Sequence, residues 1–219
     1  MNNITDNNIE MQLIIDDLWK TEDFYADEDY PDAGEDEMNE VHISIVVDKQ
    51  TIAYMEATIY YENRIDDLEM FADSISGDAF DAMCALNKKG LLDQFDFNNN
   101  PLDEISDYFN SVIVHINYMA VRDDYRGQGI GDWLFRNLPR ILQRNYGALP
   151  RIISTTICPQ VITWDGSSPS FSSPEDDETV DKTANKVMRN LMAKLLTKNG
   201  YRRLGRSDHY YVQPLKLDA

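Results

Sequence analysis

MAVRDDYRGQGIGDWLF, residues 119–135, decides how this chain folds. Its first three residues close the run SVIVHINYMAV (111–121), whose β-branched and apolar residues read as a strand. Its last residues open a helix expected over about 130–145, where Leu134, Leu138, Ile141 and Leu142 recur at helical spacing. Pro139 lies inside that helix and is expected to bend it. Between strand and helix, YRGQGIG (125–131) places Gly127, Gly129 and Gly131, with Gln128 and Ile130 between them. Glycine tolerates crowding and positive φ. The first N–H groups of a helix lack partners and are oriented to hold an anion, so a diphosphate fits here. Arg126 is placed to add charge at the rim. The turn lacks the GK[ST] ending of a nucleoside-triphosphate loop, and its G-x-G-x-G spacing is not GxGxxG. A tight turn that binds nothing is the plainer alternative.

Working outward, RIISTTI (151–157) reads as the next strand. Residues 179–198 read as a basic amphipathic helix, with Val187, Leu191, the Lys194 stem and Leu195 near one face, ended by Gly200. YRRL (201–204) and HYYVQPL (209–215) read as the last two strands. Upstream, VHISIVV (41–47) and TIAYMEATIYY (51–61) flank DKQ as a hairpin. Residues 65–75 and 78–89 look helical, interrupted by Gly77. EMQLIIDDLW (10–19) suits one helix or a short strand. FDFNNNPLDEI (95–105) and SSPSFSSPEDDE (167–178) are loops by composition. The fold class is therefore mixed α/β, with helices covering a sheet.

At 219 residues and 42% hydrophobic content, the chain is long and apolar enough to build a core without a disulfide framework or a metal. Its two cysteines, Cys84 and Cys158, sit in no metal-binding or CxxC pattern and are expected to stay reduced in a cytoplasmic protein. No stretch approaches the length of a membrane span, and the N-terminus lacks the charge pattern of a cleaved signal. The net charge is −19, distributed unevenly. Residues 1–40 carry −13 and residues 165–181 carry −6, which together equal the whole imbalance. Segment 182–206 holds eight Lys/Arg and no Asp/Glu. We therefore read an acidic N-terminal arm (1–40) ahead of a domain spanning 41–219, with inserts at about 65–105 and 159–178. Such a charge disfavours nucleic acid and favours cationic partners. The arm is either a solvated segment or a dock for a basic protein.

The pattern at 119–135 resembles the acetyl-coenzyme A motif of the GNAT superfamily of N-acetyltransferases. Met119 and Val121 fill the apolar-x-Val positions, and Arg126, Gly129 and Gly131 fill [Arg/Gln]-x-x-Gly-x-[Gly/Ala]. The resemblance implies a sheet whose two central strands, 111–121 and 151–157, splay apart around the cofactor. It implies that backbone groups of Met119, Ala120 and Val121 bond the pantetheine and thioester, and that Gln128–Gly131 cradle the pyrophosphate, with Arg126 and Gly127 beside them. The helices at 65–89 and the segment 159–178 depart from the usual family order.

Acetyl transfer to an amine needs a group that takes the amine proton. His115 shares strand parity with Met119 and Val121, and by resemblance occupies a position where some members place a glutamate base. Glu56 is the alternative base, and Asn117 a residue to position water or substrate. Each is equally readable as an ordinary sheet residue. The family often has a tyrosine acid four residues before the Gly–aromatic pair; here that pair is Gly200–Tyr201 and the matching residue is Leu196, which donates no proton. Tyr210 and Tyr211 are the substitutes. Nothing near Cys158 activates it, so direct attack is favoured over a covalent intermediate. The resulting expectation is an acetyl-CoA-dependent N-acetyltransferase acting on a protein amino group, a polyamine or a small amine, with no membrane partner and with a homodimer compatible. The alternative is a non-catalytic binding protein of the same fold, whose arm engages a basic partner.

Overall fold

The computed structural model describes residues 12–17, 38–61, 64–65, 67–92, 111–158, 161–165, 168–172 and 182–213. In chain order the elements are β1 (Gln12–Asp17), β2 (Met38–Val47), β3 (Gln50–Tyr60), α1 (Leu68–Ile75), α2 (Gly77–Asn87) and β4 (Ser111–Val121). There follow a 3₁₀ turn (Asp123–Tyr125), α3 (Ile130–Tyr146), β5 (Leu149–Thr156), β6 (Val161–Asp165), β7 (Ser168–Ser172), α4 (Lys182–Lys198), β8 (Arg202–Arg203) and β9 (His209–Val212). Seven strands form one sheet in the order β1-β2-β3-β4-β5-β9-β8, and β6 and β7 pair as a separate hairpin. The fold class is the mixed α/β sheet expected.

β4 and β5 run parallel, and the other neighbours along the sheet run antiparallel. A parallel pair needs a crossover, and α3 supplies it. Leu134, Leu138, Ile141 and Leu142 of α3 are buried against the sheet, as their spacing predicts. The helix runs unbroken through Pro139 from Ile130 to Tyr146. On this face Val41, Ile43, Ile45 and Val47 of β2, Met55, Ala57 and Ile59 of β3, and Val112, Val114 and Ile116 of β4 form the larger core. β2 alternates as its sequence suggests, with His42, Ser44 and Val46 only partly covered.

α1 and α2 cover the opposite face. Ala72, Ala79, Met83 and Leu86 pack with Tyr60, Ile113 and Ile152 in a second core. Asp67 caps α1 by accepting from the Met70 N–H at 3.0 Å. The break between the helices lies at Ser76, not at Gly77: Ser76 is extended, and its hydroxyl accepts from the Ala79 N–H at 3.1 Å to cap α2. The two helices are a helical insertion between β3 and β4.

Three expectations change and one open choice is resolved. Of the helix or short strand read over 10–19, the strand forms, as β1 over Gln12–Asp17, and it pairs antiparallel with Val41–Val46. β1 and the first residues of β2 lie inside the segment read as an arm, so these parts are sheet. The Ser- and Pro-rich stretch beginning at 167, read as loop, contains β7, which pairs with β6 from Val161↔Ser172 to Asp165↔Ser168. On α4 the packing face is rotated. Val187 and Leu191 are 54% and 56% exposed and Lys194 is exposed, while Leu196 is buried and Met192 and Leu195 pack on the core. The rest of the acidic arm, all of 95–105 and residues 173–178 lie outside the described residues. No helix among the described residues is long and apolar enough to cross a membrane.

Candidate active site

The sheet parts where β4 and β5 stop pairing. Their register runs from Ser111↔Leu149 to Ile116↔Thr155 and ends there. β4 continues to Val121 with β3 as its partner. The Thr155 hydroxyl donates to the Ile116 carbonyl at 3.1 Å, which closes the last rung. Beyond it lies a cavity of about 420 Å³, lined by Asn117–Val121 on one side and Thr155–Cys158 on the other. Gly127, Gly129, Ile130 and Gly131 line its end, and Met192, Leu195 and Lys198 of α4 form a wall. The hairpin contributes Ile162 and Phe171.

The first α3 bond of its kind runs from the Trp133 N–H to the Gly129 carbonyl at 2.9 Å. The N–H groups of Ile130, Gly131 and Asp132 therefore precede the helical ladder, and no side chain caps them. Gly129 sits at φ +89°, a conformation that side-chain-bearing residues rarely adopt. At Gly131 a Cβ would approach Leu195 Cδ2 at 3.3 Å and Met119 Cε at 3.4 Å, so the bare backbone lets α3, α4 and β4 converge. Uncapped donors at the end of a largely apolar cavity suit a diphosphate carrying an apolar arm. The residues present fit acetyl-CoA on these grounds.

Met119, Ala120, Val121, Arg126, Gly127, Gly129, Ile130 and Gly131 all line the cavity; Gln128 does not, and its amide donates to the Asp124 carbonyl at 3.1 Å. Arg126 is tied down. Its Nε donates to the Val121 carbonyl at 3.0 Å, and the guanidinium pairs with Asp123 at 2.8 Å. It thus holds the end of β4 to the turn as well as standing at the rim.

The parity expected for His115 fails, because β4 carries a bulge. Glu56 pairs with Tyr118 and Ala57 with Ile116, which leaves Asn117 as an extra residue. Before the bulge His115 opposes Thr58; after it Met119 opposes Met55. Directly opposed residues share a face, and Thr58 and Met55 lie on different faces. His115 therefore looks away from Met119 and Val121. It is 2% exposed, does not line the cavity, and its Nδ1 lies 3.0 Å from Ser154 Oγ. Burial, with His209 nearby, lowers its pKa to about 4.

Glu56 lies directly behind the cavity wall. Its Oε1 accepts from Asn117 Nδ2 at 3.3 Å, and Oε2 accepts from the Tyr54 hydroxyl at 3.1 Å. Burial and the Glu40 carboxylate raise its pKa. Asn117 also donates to Thr58 Oγ1 at 3.0 Å, so its side chain is fixed. Tyr210 is buried, Tyr211 is half-buried, and neither lines the cavity. Leu196 belongs to the core. Cys158 is exposed at the cavity edge.

Sequence reasoning missed the aromatic side of the cavity. Tyr118 stacks on Phe171 with centroids 4.6 Å apart and planes 16° apart, and Tyr54 lies 6.0 Å from Phe171. Arg122 sits 4.9 Å over the Trp164 ring and fastens the hairpin to the end of β4. The alternation of Ile162 with Trp164 is the one sequence signal for this hairpin.

No protein-family model and no curated protein matches the sequence. Among solved structures, the polyamine N-acetyltransferase of Drosophila melanogaster, an enzyme that forms N-acetylagmatine, aligns at 11% identity and a TM-score of 0.36, over 79% of this chain and 74% of its own. A mutant agmatine N-acetyltransferase in its apo form aligns at 10% identity and a TM-score of 0.37, over 79% and 76%.

Proposed function

We propose that this protein is an acetyl-CoA-dependent N-acetyltransferase acting on a cationic amine. The observation that carries the reading is the cavity between the parted ends of β4 and β5, with the uncapped N-terminus of α3 opening into it. Bound there, acetyl-CoA supplies an acyl group activated as a thioester. The N–H groups of Ile130–Asp132 receive the diphosphate, and the unpaired edge of β4 beyond Ile116 offers backbone donors along the arm. The acceptor amine enters on the face bearing Tyr118, Phe171 and Asn117. We assign Glu56 the proton-accepting role, through a water held by Asn117, since its carboxylate accepts from Asn117, which lines the cavity beside Tyr118. His115 acts on this reading as a buried positioning residue of the sheet, while Tyr210 and Tyr211 flank β5 as supports. Direct attack on the thioester fits a cavity open to both reactants.

Thiol release from acetyl-CoA in the presence of polyamines, small amines and basic peptides tests the proposal. Turnover with at least one cationic acceptor, and a large loss in Glu56→Gln, is expected. A second reading, a binding protein that retains the fold, draws on Leu196 standing where the family places its tyrosine. Tight acetyl-CoA binding without turnover across the panel would favour it; absence of acetyl-CoA binding would sink the enzyme reading.

A further inference from the structure

A second cluster lies on the outer part of the sheet, on the face of Glu56. Glu40 and His42 of β2 oppose Thr58 and Glu56 of β3, so their side chains gather on one side. Glu40 Oε1, His42 Nε2 and one Glu56 oxygen lie within 4.8 Å of one another. Their side chains are 21%, 17% and 15% exposed, which leaves a path from solvent.

The hydrogen bonds fix what the imidazole presents to the two carboxylates. The Tyr54 hydroxyl has one proton and lies against both Glu56 Oε2 and His42 Nδ1, at 3.1 and 2.9 Å. A carboxylate only accepts, so the hydroxyl donates to Glu56 and accepts from Nδ1–H. In the neutral ring Nε2 then carries a lone pair. That atom is buried, has no hydrogen-bond partner, and faces Glu40 at 3.6 Å and Glu56 at 3.8 Å. A lone pair aimed at two carboxylates is repulsive unless a cation stands between them. The separations are too long for a charge-assisted hydrogen bond of about 2.7–2.9 Å from a protonated ring. They are too short for three acceptors around an ammonium, which at hydrogen-bond distance stand about 4.6 Å apart. Donors held at about 2.0–2.2 Å around a tetrahedral ion are separated by about 3.3–3.6 Å, close to the two separations found from His42 Nε2.

We propose that Glu40, His42 and Glu56 bind a divalent transition-metal ion of the zinc class, with the fourth position open. Tyr54 serves as the outer partner that fixes the His42 tautomer, as such ligands usually require. An imidazole beside two carboxylates disfavours magnesium and calcium, which select oxygen donors. The site does not depend on the acetyltransfer reading, but the two meet at Glu56. An ion there engages Oε2 and withdraws the carboxylate from proton transfer, so occupancy suppresses turnover.

Tag-free protein dialysed against zinc chloride and then against buffer is expected to retain about one zinc per chain, with cobalt giving the visible absorption of a four-coordinate site. Glu40→Gln and His42→Ala should each weaken zinc binding by more than about tenfold. In an acetyltransfer assay, Glu40→Gln should keep basal turnover while losing its suppression by zinc. Should His42→Ala not fold, Glu40→Gln carries the test. Zinc retained no better by the native chain than by Glu40→Gln overturns the site. A chain that binds zinc but shows no turnover even after the metal is stripped leaves the site standing and removes the acetyltransfer reading instead.

Discussion

His115 shows how one buried side chain sets a pH response. Its pKa is lowered to about 4 in the folded chain, against an ordinary value of 6.5, because burial disfavours the charged ring. The unfolded chain therefore takes up the proton first as pH falls. Stability is lost between about pH 6.5 and 4, by up to about 3 kcal/mol. Melting temperature measured across that range should fall, and His115→Gln should flatten the slope. An unchanged slope would mean that the ring is hydrated in the folded state. At Gly129, substitution by Val forces a β-branched residue into φ +89°. A strain of about 1–2 kcal/mol follows, or about tenfold in acetyl-CoA affinity if the loop must keep this shape to bind. Calorimetric titration of the variant with acetyl-CoA checks this.

Among the elements, the β6–β7 hairpin is the piece that distinguishes the acceptor side. Phe171→Ala removes the stack on Tyr118, worth about 0.5–1.5 kcal/mol beyond area burial. The expected outcome is a raised KM for the amine with acetyl-CoA affinity nearly unchanged; a loss confined to acetyl-CoA affinity would contradict this division of the cavity. This hairpin was illegible as a whole because Ser168, Pro169, Ser170 and Ser172 have loop chemistry, and only pairing with β6 makes them strand. β4 was legible because eight of its eleven residues are apolar and five of those β-branched, and the α3 stripe because its buried leucines recur at the helical period. The bulge at Asn117 had no sequence signal, since an extra residue in a ladder is visible only against its partner strand. That is why strand parity misplaced His115. On α4 the leucine at 191 was indistinguishable from the one at 196 until packing chose between them.

Across the whole molecule, charge is the dominant long-range property. The basic run is partly neutralised in the fold: Arg189 and Arg203 both reach Asp208, and Lys198 reaches Asp132 at 3.1 Å. What remains is a chain of net charge −19. Its field should draw cationic acceptors and fade over a Debye length of about 8–10 Å at near-physiological salt. kcat/KM for a polycationic amine should therefore fall as sodium chloride rises, more steeply than for a monoamine. Equal slopes would show that steering plays no part.

The opening between β4 and β5 is lined from both faces of the sheet, by Met119 and Val121 on one and by Asn117, Tyr118 and Phe171 on the other. Two reactants that bind from opposite faces of the sheet need not wait on one another, and neither has to leave before the other enters. Initial-rate plots should then intersect, the signature of a ternary complex. Parallel lines would mean that the acyl group is first parked on the chain, and Cys158 at the rim would be the place to look for it.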